Sequence, residues 1–506
     1  MKGNLEMTGN LESRTKWGVF WSGLTSIGGQ LVTFVMGIVL ARLLDPEDFG
    51  ILAALILFLE IGSTVVSSGF VAALIQCPSI EEDHYQSVWL AMMVLGGAMC
   101  AGLMALSPWV AEFFHNEMAG RVLPVLALYL LFLPSIAIPT AKLRKAIDFR
   151  TPGIGTMLQQ FGGGVVAITG AWNGLGVWSL VIGRLSGHFL NLAYLLYHTR
   201  WCPSLRFRWS VVRSVLPYAS KMVGVNICND LSTNIDYVLV GRLLGAAQLG
   251  FYHRAYYLMT FPLHKVTNAV NLVLFSAFSE AQSRLDDLRH GFLKATSYTA
   301  WLCAPMAVGI MLVAPQAIEV LYGEKWLPAA RPLQLMALAG VALALEPIAV
   351  SAITALGYVG AELKRQLLGI GVMTCGVLVG SLWGLEGIAL AVSCGAFLLW
   401  FLLLVLAQRL IRFRFSEYLA VLLPPSLACT AMATAVLLVK ALMRQAGEWT
   451  SIIQLLLMVG VGVLSYGTVF YVLKSWNLHR ASREVHDEIL AYGLRIRRRL
   501  SYHLHS

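Results

Sequence analysis

One feature constrains this chain more than any other: an apolar run long enough to cross a bilayer recurs fourteen times. The runs cover residues 17–40, 49–76, 87–113, 122–143, 153–172, 175–197, 212–240, 249–275, 292–318, 333–356, 363–383, 385–407, 418–442 and 452–473. A hydrocarbon core takes about 20 mostly apolar residues per helix, and every backbone N–H and C=O inside it has to pair within the protein. Spans of this length therefore dictate helices. Barrel strands would be shorter and would alternate apolar with polar residues, which these do not. Composition agrees, with 58% hydrophobic and only 13% charged residues and a mean hydropathy of +0.70. The expected fold class is an all-α integral membrane protein with about fourteen transmembrane helices. The first sixteen residues are polar, and the apolar run that follows lacks a small-residue cleavage site. We read it as a start anchor rather than a removable signal.

The net charge of +10 is mainly a topology signal. With the amino terminus inside, Arg42, Arg121, Arg242, Lys325, Arg331, Lys440 and Arg444 fall outside. The basic clusters from Lys142 to Arg150 and from Arg200 to Arg213 fall inside, as do those around Arg412 and Arg497. Cytoplasmic loops carry such an excess of Lys and Arg. Both termini are thus expected in the cytoplasm and no nucleic-acid partner is implied. The cytoplasmic loop "CPSIEEDHYQS" carries neither Lys nor Arg and is the exception. Eight cysteines show no CxxC spacing and most fall inside spans, which argues against disulfides and thiolate metal sites. There is no GxxxxGK[ST] loop, HExxH or nucleophile elbow, and no extramembrane segment with room for a soluble domain. No cofactor, metal or catalytic residue is expected; the chain reads as a non-enzyme.

Two short stretches repeat. "ARLLDPEDFG" at 41–50 joins spans one and two, and "GRLLGAAQLG" at 241–250 joins spans seven and eight. "GLGVWSL" from Gly174 precedes span six, and "GLEGIAL" from Gly384 precedes span twelve. Six spans separate the members of each pair, so both copies point the same way. Parallel repeats of this kind form two lobes around a central cavity and transport by alternating access. The expected organisation is an N-lobe of spans one to six (1–205), a C-lobe of spans seven to twelve (206–410), two further helices (411–475) and a basic cytoplasmic tail (476–506). In the tail, Val485, Ile489, Tyr492, Ile496 and Leu500 recur at helical spacing beside Arg495 and Arg497 to Arg499. That pattern predicts an amphipathic helix on an anionic leaflet.

Ionisable residues within spans carry the functional information, because each costs roughly 2.5 to 3.5 kcal/mol if it faces lipid. Arg184, His188 and Asn191 share one face of span six, and Lys221, Asn229, Ser232 and Asp236 share an arc of span seven, with Asp230 pointing elsewhere. Arg254, Phe261 and Lys265 share a face of span eight. Arg184, Lys221, Arg254 and Lys265, with Asn229, form a basic stripe suited to an anionic head group, phosphate being the usual group that such cations clamp. Snorkelling to an interface is the other reading for Lys221 and Arg254, and pairing with an Arg for Asp236. Glu60, Asp236 and Glu346 are candidates for ion coupling, against a plain packing role.

The hinge "ARLLDPEDFG" with the following "SGFVAALIQ", the "GVWSL" motif, and "NIDYVLVGRLLGAAQLGFYHRAYYLMTFP" resemble the polysaccharide transporter family. That family holds the Wzx-type flippases of the multidrug, oligosaccharidyl-lipid and polysaccharide superfamily. The resemblance implies a bacterial inner-membrane flippase that moves an undecaprenyl-diphosphate-linked oligosaccharide toward exopolysaccharide, capsule or O-antigen synthesis. A polysaccharide polymerase and export machinery are implied as further partners. A lipid II flippase and a small-molecule antiporter of the same superfamily are the alternatives; a membrane-embedded polymerase or ligase would carry a large external loop, and none is seen. The second hinge lacks the acids of "DPED", so those acids serve one lobe only.

Overall fold

A computed structural model of the chain describes residues 23, 25, 28–76, 81–281, 284–446, 449–473 and 484. The tail expected to form an interfacial helix lies outside the described residues, apart from Glu484. Every regular element among the described residues is helical, and the elements match the fourteen expected spans in order. They are α1 (Gly28–Leu43), α2 (Pro46–Ser63), α3 (Gly69–Gln76), α4 (Glu82–Phe114), α5 (Glu117–Ala127), α6 (Tyr129–Lys145), α7 (Arg150–Trp172), α8 (Val177–Thr199) and α9 (Trp209–Leu244). There follow α10 (Ala246–Ala281), α11 (Leu285–Tyr322), α12 (Ala330–Ala337), α13 (Ala339–Ala355), α14 (Val359–Gly380), α15 (Gly384–Ile411), α16 (Phe415–Gln445) and α17 (Ser451–Val472). Three spans are helix pairs: α2–α3 through a π turn at Thr64–Ser68, α5–α6, and α12–α13 with a bend of 46°.

Among the described residues, seven helices are long and apolar enough to cross a membrane by themselves, or eight if the bent pair counts as one span. The long helices α7, α8, α9 and α10 are not in that set. Of these, α8, α9 and α10 carry the polar residues of the basic stripe, so their place in the membrane depends on helix neighbours rather than on their own hydropathy.

The chain divides into two compact units, 1–250 and 251–506. In the first, α9 packs on α2, α3 and α4, so the unit defined by packing runs past residue 205, where the sequence repeat is divided. Its α7 and α8 meet closely: a Cβ on Gly163 would crowd the Gly183 carbonyl and the Gly187 backbone. Small residues bring membrane helices into this kind of contact. In the second unit α16 and α17 pack on α11. There Tyr466 Oη donates to the Trp301 carbonyl at 2.8 Å and the Trp301 and Phe470 rings meet edge to face at 4.8 Å.

Backbone features of spans four to six recur in spans ten to twelve. A helix break at Leu128 has its counterpart at Leu338. Left-handed residues end the helices at Ile147 and Gly357, and again at Arg200 and Arg412. Gly174 and Gly384, which open the repeated "GL" motifs, both have positive φ, at 76° and 69°. The sequence echo is therefore the visible part of a longer backbone repeat.

The duplicated hinges touch. A Cβ on Gly50 would collide with the Ala246 carbonyl, and one on Gly250 would collide with the Pro46 carbonyl. Pro46 and Ala246 hold the same place in the two copies, as do Gly50 and Gly250, so the contact is reciprocal. The "DPED" acids build the first hinge: the Asp45 backbone N–H donates to Asp48 Oδ2 at 3.1 Å, and Pro46 occupies the first turn of α2. Proline fits there because that N–H has no helical acceptor. Asp48 also accepts from the Val177 backbone, which joins the hinge to the "GVWSL" motif at the start of α8. In the second hinge Gly245, at φ 86°, makes the turn instead.

Candidate functional site

The first unit gathers its intramembrane charges around Glu60. Burying a carboxylate costs several kcal/mol unless it is paired or hydrogen-bonded, and here the bonds come from α9. Asn234 Nδ2 donates to Glu60 Oε2 at 2.6 Å and to the Asp230 carbonyl at 3.0 Å. Thr64, set in the π turn, donates its hydroxyl to Asp230 Oδ2 at 2.7 Å. Single π turns inside long helices are frequent at functional sites; this one aims Thr64 at α9. Arg184 of α8 acts electrostatically on Glu60, and its guanidinium lies 5.3 Å from the Tyr129 ring. Tyr129 is held by a 2.6 Å bond from its hydroxyl to the Leu59 carbonyl, and its ring lies 5.1 Å from His188.

Four spans thus place two carboxylates, one guanidinium, an amide and a phenol in one cluster. The cluster sets two carboxylates against one guanidinium. Glu60 and Arg184 were legible as candidates, whereas Asp230, Asn234, Thr64 and Tyr129 were not. Helical periodicity grouped α9 around Lys221, Asn229 and Asp236; the face turned to Glu60 is instead the one carrying Asp230 and, one turn on, Asn234. Two polar residues spaced i, i+4 in an apolar span were the available signal. Lys221 and Asn229 are exposed, and Asp236 is buried at 8% exposure.

Arg254 lies in the second unit, 7% exposed. Its guanidinium is 5.8 Å from the Tyr322 ring and 6.0 Å from the Tyr257 ring, and behind Tyr322 stands the fully buried Trp326. Aromatic faces stabilise a desolvated cation by up to about 2 kcal/mol. Lys265 is half-buried, with Nζ 5.2 Å from the Phe261 ring. Glu346 is joined to Arg365 by a 2.6 Å ion pair, and the same guanidinium holds Glu362 at 2.8 and 2.7 Å. Arg365 sits inside α14 with its side chain 18% exposed.

Comparison with known proteins gives this arrangement a family. A family model described as "Polysaccharide biosynthesis protein" matches residues 39–331, more than half of the chain. The succinoglycan biosynthesis transport protein ExoT of Rhizobium meliloti is 27% identical over 320 residues, which cover 63% of this chain and 65% of that one. The matched region is thus just under two thirds of that relative's length. The lipopolysaccharide biosynthesis protein WzxC of Escherichia coli is 25% identical over 338 residues, covering 66% and 68%. Among solved structures, the lipid II flippase MurJ in its inward closed conformation aligns with a TM-score of 0.74 at 15% identity, over 90% of this chain and 98% of its own. At that identity the likeness is one of fold. The chain belongs to the polysaccharide biosynthesis protein family.

Proposed function

We propose that this protein flips an undecaprenyl-diphosphate-linked oligosaccharide across the bacterial inner membrane, by alternating access, for exopolysaccharide, capsule or O-antigen synthesis. The family match over residues 39–331 carries the reading, and the MurJ-like fold supports it. The physical problem suits such a fold. A diphosphate and its sugars cannot enter hydrocarbon, whereas the polyprenyl chain can remain in it. Buried cations and hydrogen-bonding groups within the spans replace the water that the head group loses.

Arg184, Lys221, Arg254 and Lys265, with Asn229, are the proposed head-group contacts, the four cations meeting the phosphates. Glu60 and Asp230 are the proposed coupling pair. Asp236 and Glu346 remain as secondary members, with Glu346 weakened for that role by its guanidinium partner. Both termini are proposed to be cytoplasmic, as the Lys and Arg distribution favours. Polymerase and export machinery are the proposed neighbours in the membrane. A lipid II flippase is the second reading, favoured by the fold alignment alone.

A deletion strain tests the proposal. It should accumulate a lipid-linked oligosaccharide identifiable by mass spectrometry and lose its surface polysaccharide. Arg184→Gln and Lys265→Gln should insert at normal levels yet fail to restore export. A deletion strain that accumulates no precursor and keeps its polysaccharide would overturn the flippase reading. Full export by both Gln variants would remove the head-group assignment.

A further inference from the structure

A second polar feature lies in the first unit and shares no residue with the Glu60 cluster. It is a cavity of about 430 Å3 bounded by α1, α6, α7 and α8, whose polar lining includes Gln30, Thr140, Arg144, Thr156, Gln160 and Asn191. Gln160 Oε1 and Asn191 Oδ1 are buried acceptors with no hydrogen-bond donor among the described residues, and Asn191 is only 5% exposed. The Asn191 amide is oriented by its own donor, since Nδ2 bonds Gln159 Oε1 at 2.9 Å. Two glycines make room for the acceptors: a Cβ on Gly29 would strike Gln160 Oε1, and one on Gly155 would strike Asn191 Oδ1. Arg144 makes no ion pair among the described residues and also lines an adjoining cavity of about 450 Å3 between α3 and α6.

Buried acceptors without donors are rare in native proteins because each forfeits its hydrogen bonds to water. The two residues that carry them line one cavity, with threonine hydroxyls beside them and a cation at the rim, and this set calls for a ligand rich in hydroxyl donors that also carries an anion. A hydroxyl donates and accepts at once, so a sugar ring suits the threonines as well as the amides. An apolar tail suits neither. A small inorganic anion would meet Arg144 but repel the two carbonyl oxygens.

We propose that this cavity recognises the glycan, with Gln160 Oε1 and Asn191 Oδ1 accepting from hydroxyls of the lipid-proximal sugar and Arg144 pairing with the phosphate next to it. The assignment rests on the flippase reading and adds to it the place where sugar identity is read. It explains why the basic residues of α8 to α10 say nothing about which sugar is carried: phosphates are common to all such lipids, and the discriminating groups are amides and hydroxyls elsewhere.

The test uses the full-length protein in nanodiscs and two probes, undecaprenyl diphosphate and the same lipid bearing one hexose or N-acetylhexosamine, compared by native mass spectrometry. The wild type should bind one of the glycosylated probes roughly tenfold more tightly than the bare lipid, the gain expected from one or two added hydrogen bonds. Gln160→Leu and Asn191→Leu should lose that preference while holding the bare lipid as before. Arg144→Gln should weaken both probes alike. Unchanged binding of the bare lipid by the Leu variants separates lost recognition from lost folding. A wild type without preference, or Leu variants that retain it, would overturn the proposal. Failure of the flippase reading would look different: no precursor in the deletion strain, whatever the nanodiscs show.

Discussion

Glu60 and Glu346 are both carboxylates set in apolar helices, one in each unit, and they are held in opposite ways. Glu346 has a guanidinium at 2.6 Å, which it shares with Glu362. Glu60 has a neutral amide at 2.6 Å, a second carboxylate close by, and a guanidinium that acts on it through space while resting on Tyr129. A carboxylate locked to a cation has its charge already balanced. One bonded to an amide is solvated without being neutralised, and its charge remains open to a proton or a cation. The comparison thus sets a carboxylate matched by its own guanidinium in the second unit against one held by an amide in the first, the arrangement on which the proposed coupling role of Glu60 rests.

Three substitutions probe that contrast. The largest effect belongs to Arg365→Gln, which strands Glu346 and Glu362 together in a helix interface. Removing one partner of a buried pair costs about 3 to 5 kcal/mol, so the variant should show a clear fall in Tm and in folded yield by fluorescence-detected size-exclusion chromatography. Unchanged stability would mean that the ion pair is not what holds α13 to α14. Next comes Glu60→Gln, which keeps the shape and one acceptor for Asn234 and deletes the charge. Its folded yield should stay near wild type, while export falls by about 100-fold if the carboxylate takes part in a proton transfer, whose usual contribution is of that order. Normal export would make Glu60 a packing residue like its counterpart. The smallest effect is expected for Glu346→Gln with Arg365 intact. Arg365 still holds Glu362, so the cost should be about 1 kcal/mol, with export retained. Loss of export there would erase the distinction between the two units.

Much of this was legible in the sequence. The apolar runs found every span, including α7 to α10, which are not among the helices apolar enough to cross by themselves. The "DPED" acids were recognised as belonging to one hinge only, and their work as a helix start now shows why: Gly245 turns the other hinge with backbone freedom instead. What escaped was partner choice. Periodicity says which residues share a face of α9 but not which face meets α2, so Asp236 was chosen where Asp230 bonds Thr64. The pairing of Arg365 with Glu346 was out of reach for a related reason: nothing in the spacing says that α14 turns this cation toward α13. The limit of packing was illegible too, since the bonds from α9 to α2 and the π turn join helices more than 150 residues apart.

The reciprocal contact of Gly50 with Ala246 and of Gly250 with Pro46 has the form of an isologous patch, the kind that two identical subunits make across a two-fold axis. In a symmetric dimer a change in such a patch is imposed on both sides at once, and each innovation has to suit its own mirror copy. Carried within one polypeptide, the two halves of the patch are separate genetic sites. The two halves here differ in that way: one carries a proline and a capping aspartate, the other glycine and alanines, while the Arg-Leu-Leu run and the glycine that sets the backbone spacing are the same in both.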